Sequence, residues 1–123
     1  MPLPVITKVD DRAHFGRILQ ENPGVVIIKF GAEWCGPCKL IEQDVNFYFS
    51  KMPDTVQCIM VDIDESFDIY AFLKSKKMVS GIPAILAYYK GNLNYVPDEF
   101  VVGADKQKLH AFFQTCVQAS QQS

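Results

Sequence analysis

Val25-Val26-Ile27-Ile28-Lys29-Phe30-Gly31 runs straight into Ala32-Glu33-Trp34-Cys35-Gly36-Pro37-Cys38-Lys39, and this junction decides the fold. Val25 to Phe30 is nearly continuous in apolar, β-branched residues, which is how a strand covered on both faces reads. A helix follows from about Cys35, with Ile41, Val45, Tyr48 and Phe49 as its apolar stripe and Pro53-Asp54 at its end. Upstream, Val5 to Val9 reads as a short strand. Asp10 or Asp11 then caps a helix whose face carries Phe15, Ile18 and Leu19, and Asn22-Pro23-Gly24 stops it. Downstream, Thr55 to Asp62 is a strand, and Ser66 caps a helix carrying Ile69, Phe72 and Leu73. Ala84 to Tyr89 is the next strand, turned at Lys90-Gly91-Asn92; about Tyr95 to Val102 returns antiparallel and stops at Gly103. Asp105 caps a last helix with Leu109, Phe112, Phe113, Cys116 and Val117 on one face. The order β-α-β-α-β-α-β-β-α predicts one α/β domain with a mixed sheet, crossover units first and a hairpin after them. Residues 1–117 form that domain, and the polar tail 118–123 is expected to fray.

Composition narrows the functions available. At 123 residues, 49% hydrophobic and 21% charged, the chain has the make-up of a folded globular domain. Its net charge of −2 leaves no basic surplus to neutralise phosphates, so no nucleic-acid partner is expected. The longest uncharged stretch of apolar character, Met78 to Tyr89, is interrupted by Ser80, Gly81 and Pro83 and is shorter than the ~20 residues of a spanning helix. No membrane association is expected. Met1 to Lys8 has neither the basic region nor the apolar run of a secretory signal, and it is poor in the Arg and Ser of transit peptides. Cysteines stand at 35, 38, 58 and 116 in a chain long enough to form a core without staples. A reducing compartment, the cytoplasm, is the expected location.

Chemistry concentrates at Trp34-Cys35-Gly36-Pro37-Cys38. Two cysteines three apart at a helix start can close a small disulfide ring. A strand-to-helix turn surrounds Cys35 with unpaired N–H groups and the positive end of a helix dipole, which stabilise a thiolate. The thiolate is the nucleophile, and one pKa unit of lowering corresponds to about 1.4 kcal/mol. The reading requires an exposed Cys35 sulfur held as an anion. Gly36 and Pro37 set the tight turn, and Pro suits a first helical turn because its missing N–H costs nothing there. Trp34 offers an apolar platform to a docking chain, and Lys39 either tunes the local charge or is simply solvated. Five such residues arise by chance in a chain of this length with odds on the order of 4 × 10⁻⁵, taking about 5% usage for each. The competing reading of the pair is metal ligation. Zinc wants four ligands, and the remaining donors, Cys58, Cys116, His14 and His110, are scattered along the chain. No metal and no cofactor are therefore expected. Cys58 and Cys116 read as inert buried thiols, and the two histidines as surface residues.

On these residues the chain resembles the thioredoxin family over about Val5 to Val117. The strongest matches are Trp34-Cys35-Gly36-Pro37-Cys38-Lys39 and Gly81-Ile82-Pro83; weaker ones are Asp62 with Asp64, Gly91 and Val102-Gly103. The resemblance implies a three-layer α/β/α sandwich with a central five-stranded mixed sheet and four helices. It implies a cis peptide bond before Pro83, facing the cysteine pair. It also implies that Trp34, Gly81, Ile82 and Pro83 receive an extended substrate segment by β-augmentation. The implied activity is protein-disulfide reduction, with Cys35 as nucleophile and Cys38 as resolving thiol. The expected partners are protein disulfides and a thioredoxin reductase or another dithiol donor, and the expected state is a monomer. The alternative is a thioredoxin-fold interaction module whose redox activity is secondary, since a fold does not fix a function.

The sequence departs from the family at several points. Where the family usually buries an acid six residues before the first cysteine, Lys29 stands here. Met60 stands where a lysine is frequent on the neighbouring strand. A lysine in so apolar a strand is costly unless it reaches a rim, pairs or loses its proton. Lys29 either supports the active site or extends its amine to solvent. Gly31 replaces a usual aromatic. Gln43 replaces a helix-kinking proline, so a straighter helix is expected after Cys38. Two insertions of about four residues each (by comparison with the family) fall before Pro83 and in the terminal hairpin; the second holds Tyr95 to Phe100 and reads as a partner-contact arm or a longer turn.

Overall fold

The structure, a computed structural model, describes residues 2–122. Its elements are α1 (Arg12–Gln20), β1 (Val25–Gly31), α2 (Gly36–Leu40), α3 (Glu42–Ser50), β2 (Val56–Asp62), α4 (Phe67–Ser75), β3 (Ala84–Tyr89), β4 (Glu99–Val102) and α5 (Lys106–Gln121). The sheet runs β2-β1-β3-β4, with β1 and β2 parallel and the other pairs antiparallel. Every residue of β1 is buried, as its unbroken apolar run requires of a central strand covered on both faces.

Alternation along β1 splits the core in two. Val26, Ile28 and Phe30 face Phe15 and Leu19 of α1 and Ile69 and Leu73 of α4. Val25 and Ile27 face Val45 and Phe49 of α3 and Leu109, Phe113 and Cys116 of α5. Helices therefore cover both faces in the expected three layers. Lys29 shares the parity of Val25 and Ile27, which sends it toward the α3–α5 side. Its register partner on β2 is Met60.

The structure corrects several expectations. The strand expected at Val5–Val9 is one bridge, Ile6 to Ile59, so the sheet has four strands rather than five. Pro4 lacks an N–H for a ladder, and its carbonyl instead accepts from Gln57 Nε2 at 3.0 Å. The helix after Cys38 is not straight. Ile41, with φ −109° and ψ 2°, separates α2 from α3 and is fully buried, while Leu40 beside it is exposed. The chain breaks its helix there to seat Ile41 in the core, without a proline. Ser66 precedes α4 without a side-chain cap; its Oγ accepts from the Val9 N–H across the fold (3.2 Å). β4 starts at Glu99, not near Tyr95. Before it, Asp98 joins β3 by backbone and side chain together: its N–H donates to the Ala87 carbonyl (2.8 Å) and its Oδ2 accepts from the Tyr89 N–H (2.7 Å). The polar tail does not fray at 118 but continues α5 to Gln121. Ser120 is buried there, and the Thr55 hydroxyl donates to its Oγ. Met1 and Ser123, the ends of the expected domain and tail, lie outside the described residues.

The segment between β3 and β4 is anchored on α4. Tyr95 meets Phe72 edge-on at 5.6 Å, Lys76 lies over both rings, and the Tyr88 hydroxyl donates to the Tyr95 carbonyl. Leu93 and Val96 in this segment stay exposed.

Candidate active site

β1 delivers the chain to the turn Ala32-Glu33-Trp34, where the Cys35 N–H donates to the Ala32 carbonyl (3.2 Å). Cys35 is the N-cap of α2, extended at φ −85° and ψ 109°, and Pro37 occupies the first helical turn as its φ favours. Cys35 Sγ accepts from the Cys38 N–H at 3.2 Å. A sulfur at this point meets one of the helix's unpaired donors directly. α2 is only five residues long, so this local N–H, rather than a long aligned dipole, supplies most of the field on Cys35. Cys35 and Cys38 are joined in a disulfide with their Cα atoms 5.3 Å apart.

Burial differs from the sequence expectation of an exposed sulfur. Cys35 is 5% exposed, whereas Trp34 beside it is 67% exposed. The indole Nε1 donates to Asp64 Oδ2 at 2.9 Å, and the Asp64 N–H donates to Asp62 Oδ1. Asp64 thus holds Trp34 over the turn. No short-range spacing joins positions thirty residues apart, so nothing in the sequence marks Asp64 as the partner of Trp34.

Ile82-Pro83 is a cis peptide bond. Pro83 is buried, Gly81 and Ile82 are half-buried, and the Gly103 N–H donates to the Pro83 carbonyl. Ala84, next in the chain, pairs with Phe30. Antiparallel pairing of β1 with β3 therefore brings the Gly81–Pro83 loop and the cysteine turn to the same end of the sheet. Gly36 and Gly81 stand in open space, so neither is demanded by a close neighbour.

Lys29 is 7% exposed and does not extend into solvent. It lines an open cavity of about 550 Å³ together with Cys38, Lys39, Glu42 and Met60. Burial holds its pKa below the ordinary lysine value, and Glu42 opposes that shift. Among the described residues Lys29 forms no ion pair. Cys58 and Cys116 are free and buried on the α3–α5 side, and burial pushes both thiols up to about 12. Thiols so rarely ionised are poor nucleophiles at neutral pH, which sets them apart from the disulfide pair.

The thioredoxin family model matches residues 5–115. Mitochondrial thioredoxin of Mus musculus is 34% identical over 109 residues, which cover 89% of this chain and 61% of that protein. Among solved structures, Malassezia sympodialis thioredoxin matches with a TM-score of 0.68 and 30% identity, over 98% of this chain and 96% of its own. Trichomonas vaginalis thioredoxin matches with a TM-score of 0.73 and 27% identity, over 91% and 96%. The chain thus spans 61% of the length of the mouse relative and nearly all of the two solved relatives.

Proposed function

The chain belongs to the thioredoxin family, and from that premise we propose that it is a thiol–disulfide oxidoreductase reducing disulfides in protein substrates. One observation carries the reading: Cys35 and Cys38 close a disulfide at the N-cap of a helix, with Cys35 Sγ on a backbone N–H.

The Cys35 thiolate attacks a substrate disulfide. One substrate sulfur bonds to Cys35, and the other leaves as a thiolate that takes a proton from water. Cys38, once deprotonated, attacks Cys35 Sγ. The Cys35–Cys38 bond forms, the mixed disulfide breaks, and the second substrate thiol departs reduced. Two electrons pass from the protein dithiol to the substrate. Cys35 is nearly enclosed and Trp34 beside it is exposed, so the substrate disulfide approaches Cys35 over Trp34. Trp34, Gly81, Ile82 and Pro83 receive the substrate chain at this end of the sheet. Gly36, Pro37, Lys39 and Lys29 shape and tune the turn. A thioredoxin reductase or another dithiol donor returns the pair to its reduced state, and the protein works as a monomer.

No helix among the described residues is long and apolar enough to cross a membrane. We assign the cytoplasm, on the free thiols of Cys58 and Cys116; the mitochondrial name of the mouse relative gives the competing address, and imaging of a tagged chain decides between them. The activity is tested by dithiothreitol-driven reduction of insulin. Wild type accelerates the reaction and Cys35→Ser abolishes the acceleration. Equal rates with and without the wild-type chain would leave the interaction module as the surviving reading.

A further inference from the structure

β4 is an edge of the sheet with no further strand beside it among the described residues. The opposite edge differs. There Ile6 closes the β2 ladder, its N–H donating to the Cys58 carbonyl and its carbonyl accepting from the Met60 N–H. At β4, the Gly103 N–H donates to the Pro83 carbonyl (2.9 Å), in the register that sets Val102 opposite Ala84. Alternate pairs of an antiparallel ladder exchange hydrogen bonds. Glu99 and Val101 therefore bond inward to β3, and Phe100 and Val102 direct their N–H and C=O groups outward. Side chains alternate as well. Val101 is buried in the core with α5, whereas Phe100 is 67% and Val102 38% exposed on the other face. The strand Glu99-Phe100-Val101-Val102 holds neither lysine nor proline, two usual guards of an open edge.

An open groove of about 520 Å³ runs along the α5 side of this edge, with Glu99, Val101, Lys108 and Phe112 among its walls. Only Gly103 to Asp105 separate β4 from α5, so Lys108 in the first turn of α5 stands by the Val102 end of the strand, and Glu99 lies at the other end. Glu99 shares the face of Val101, and its Oε2 accepts from the Tyr89 hydroxyl (2.8 Å).

We propose that β4 pairs antiparallel with β4 of a second copy of this chain, about a two-fold axis through Val101. In that register Phe100 of each copy lies opposite Val102 of the other, and these outward-facing residues exchange their backbone hydrogen bonds. The exposed Phe100 and Val102 side chains cover each other across the axis, and Val101 meets Val101. Glu99 of each copy comes beside Gly103 of the other, on the α5 side, and hence beside Lys108. An axis through Phe100 would instead set Glu99 against Val101 and Asp98 against Val102. An axis between two residues would turn outward groups toward inward ones. In one register, then, the edge complements itself in hydrogen bonding, apolar contact and charge.

A contact made by so short a strand is small, and the dimer it forms is weak and concentration-dependent. Each copy keeps its own cysteine pair, so a single chain stays the working unit and pairing is a second state of it. The pairing does not depend on the disulfide reductase reading. Lys108 is exposed and Glu99 half-buried, so their reciprocal pairs lie at a solvated rim, where charge fixes the register and salt weakens it.

The test uses the full chain with dithiothreitol present, so that no intermolecular disulfide contributes. Sedimentation velocity across a wide range of protein concentration is expected to show the monomer passing to a dimer. Over the same range the Phe100 and Val102 amides are expected to gain protection from hydrogen exchange, while those of Glu99 and Val101, already bonded within the sheet, stay as they were. Phe100→Asp is expected to abolish the dimer and to leave the melting temperature of the dilute monomer unchanged. Lys108→Glu brings acids together at both ends of the contact and is expected to weaken pairing about tenfold; adding Glu99→Lys restores opposite signs and is expected to recover it. A chain that stays monomeric throughout overturns the proposal. So does a dimer whose Phe100 and Val102 amides exchange as fast as in the monomer, since another face then joins the copies. A synthetic peptide of residues 98–104 that protects both amides while the chain itself stays monomeric overturns the second copy and assigns the edge to a strand from another protein.

Discussion

Lys29 lies in a strand whose other members are apolar or glycine, and it is buried with them. Desolvation penalises the ammonium, so the folded chain binds fewer protons here than the unfolded chain between the lowered value and the ordinary lysine value. Stability therefore rises with pH across that window, and the penalty stands in full below it. Oxidised Lys29→Met, free of a Cys38 thiol, is expected to melt above oxidised wild type at neutral pH. The gap should close as pH climbs to the ordinary lysine range. Thermal melts of both proteins over that range measure it, and coincident curves at neutral pH would mean that the folded ammonium is fully hydrated. The oddity of a lysine at position 29 was legible in the sequence, because it interrupts an apolar run. Its inward course was not. A long flexible stem can reach solvent from a buried Cα, and only the packed positions of Gly31 and Cys38 show that it does not.

Helix ends obeyed local chemistry unevenly. Asp105 was read as the cap of the last helix, and its Oδ1 accepts from the Gln107 and Lys108 N–H groups at 3.0 and 3.1 Å. Asp105→Ala is expected to cost about 1 kcal/mol of unfolding free energy, measured by urea denaturation, while Asp105→Asn should recover most of it. Asp11 caps α1 in the same way, accepting from the His14 N–H at 2.8 Å. Ser66 had equally good credentials but spends its hydroxyl on Val9, a residue that no local window connects to it. The break at Ile41 has the same origin, since a fully buried side chain outweighs the continuity of one helical turn. Short-range signals found caps where the partner is the next turn, and missed the cases where the partner came from elsewhere in the fold. The sequence reads β3 as Ala84 to Tyr89 and the strand spans those residues, because an apolar run of six between turn residues is too short for a helix.

Phe113 joins α5 to α3 across the second face of the sheet. It is 1% exposed, stacks on Tyr48 at 4.6 Å and meets Phe49 and Phe112 edge-on. Phe113→Ala is expected to cost about 3–5 kcal/mol, read from denaturant midpoints, through lost transfer energy and the cavity left behind. Aromatic substitution with Leu should recover part of that loss. The layered α/β plan and the position of the cysteine pair at the start of a helix came from the chain's own order of residues. Periodicity and turn chemistry act over a few residues, and those features depend on nothing farther away. Tertiary structure decided what depends on distant partners: the reduction of the first strand to a single bridge, the Asp64 carboxylate on the Trp34 indole, the enclosure of Cys35, and the burial of the Lys29 amine beside Gly31. Each of these is a contact between segments whose separation along the chain carries no record of their separation in space. Burial and hydrogen bonding between them are set only when the sheet and its two helical layers close.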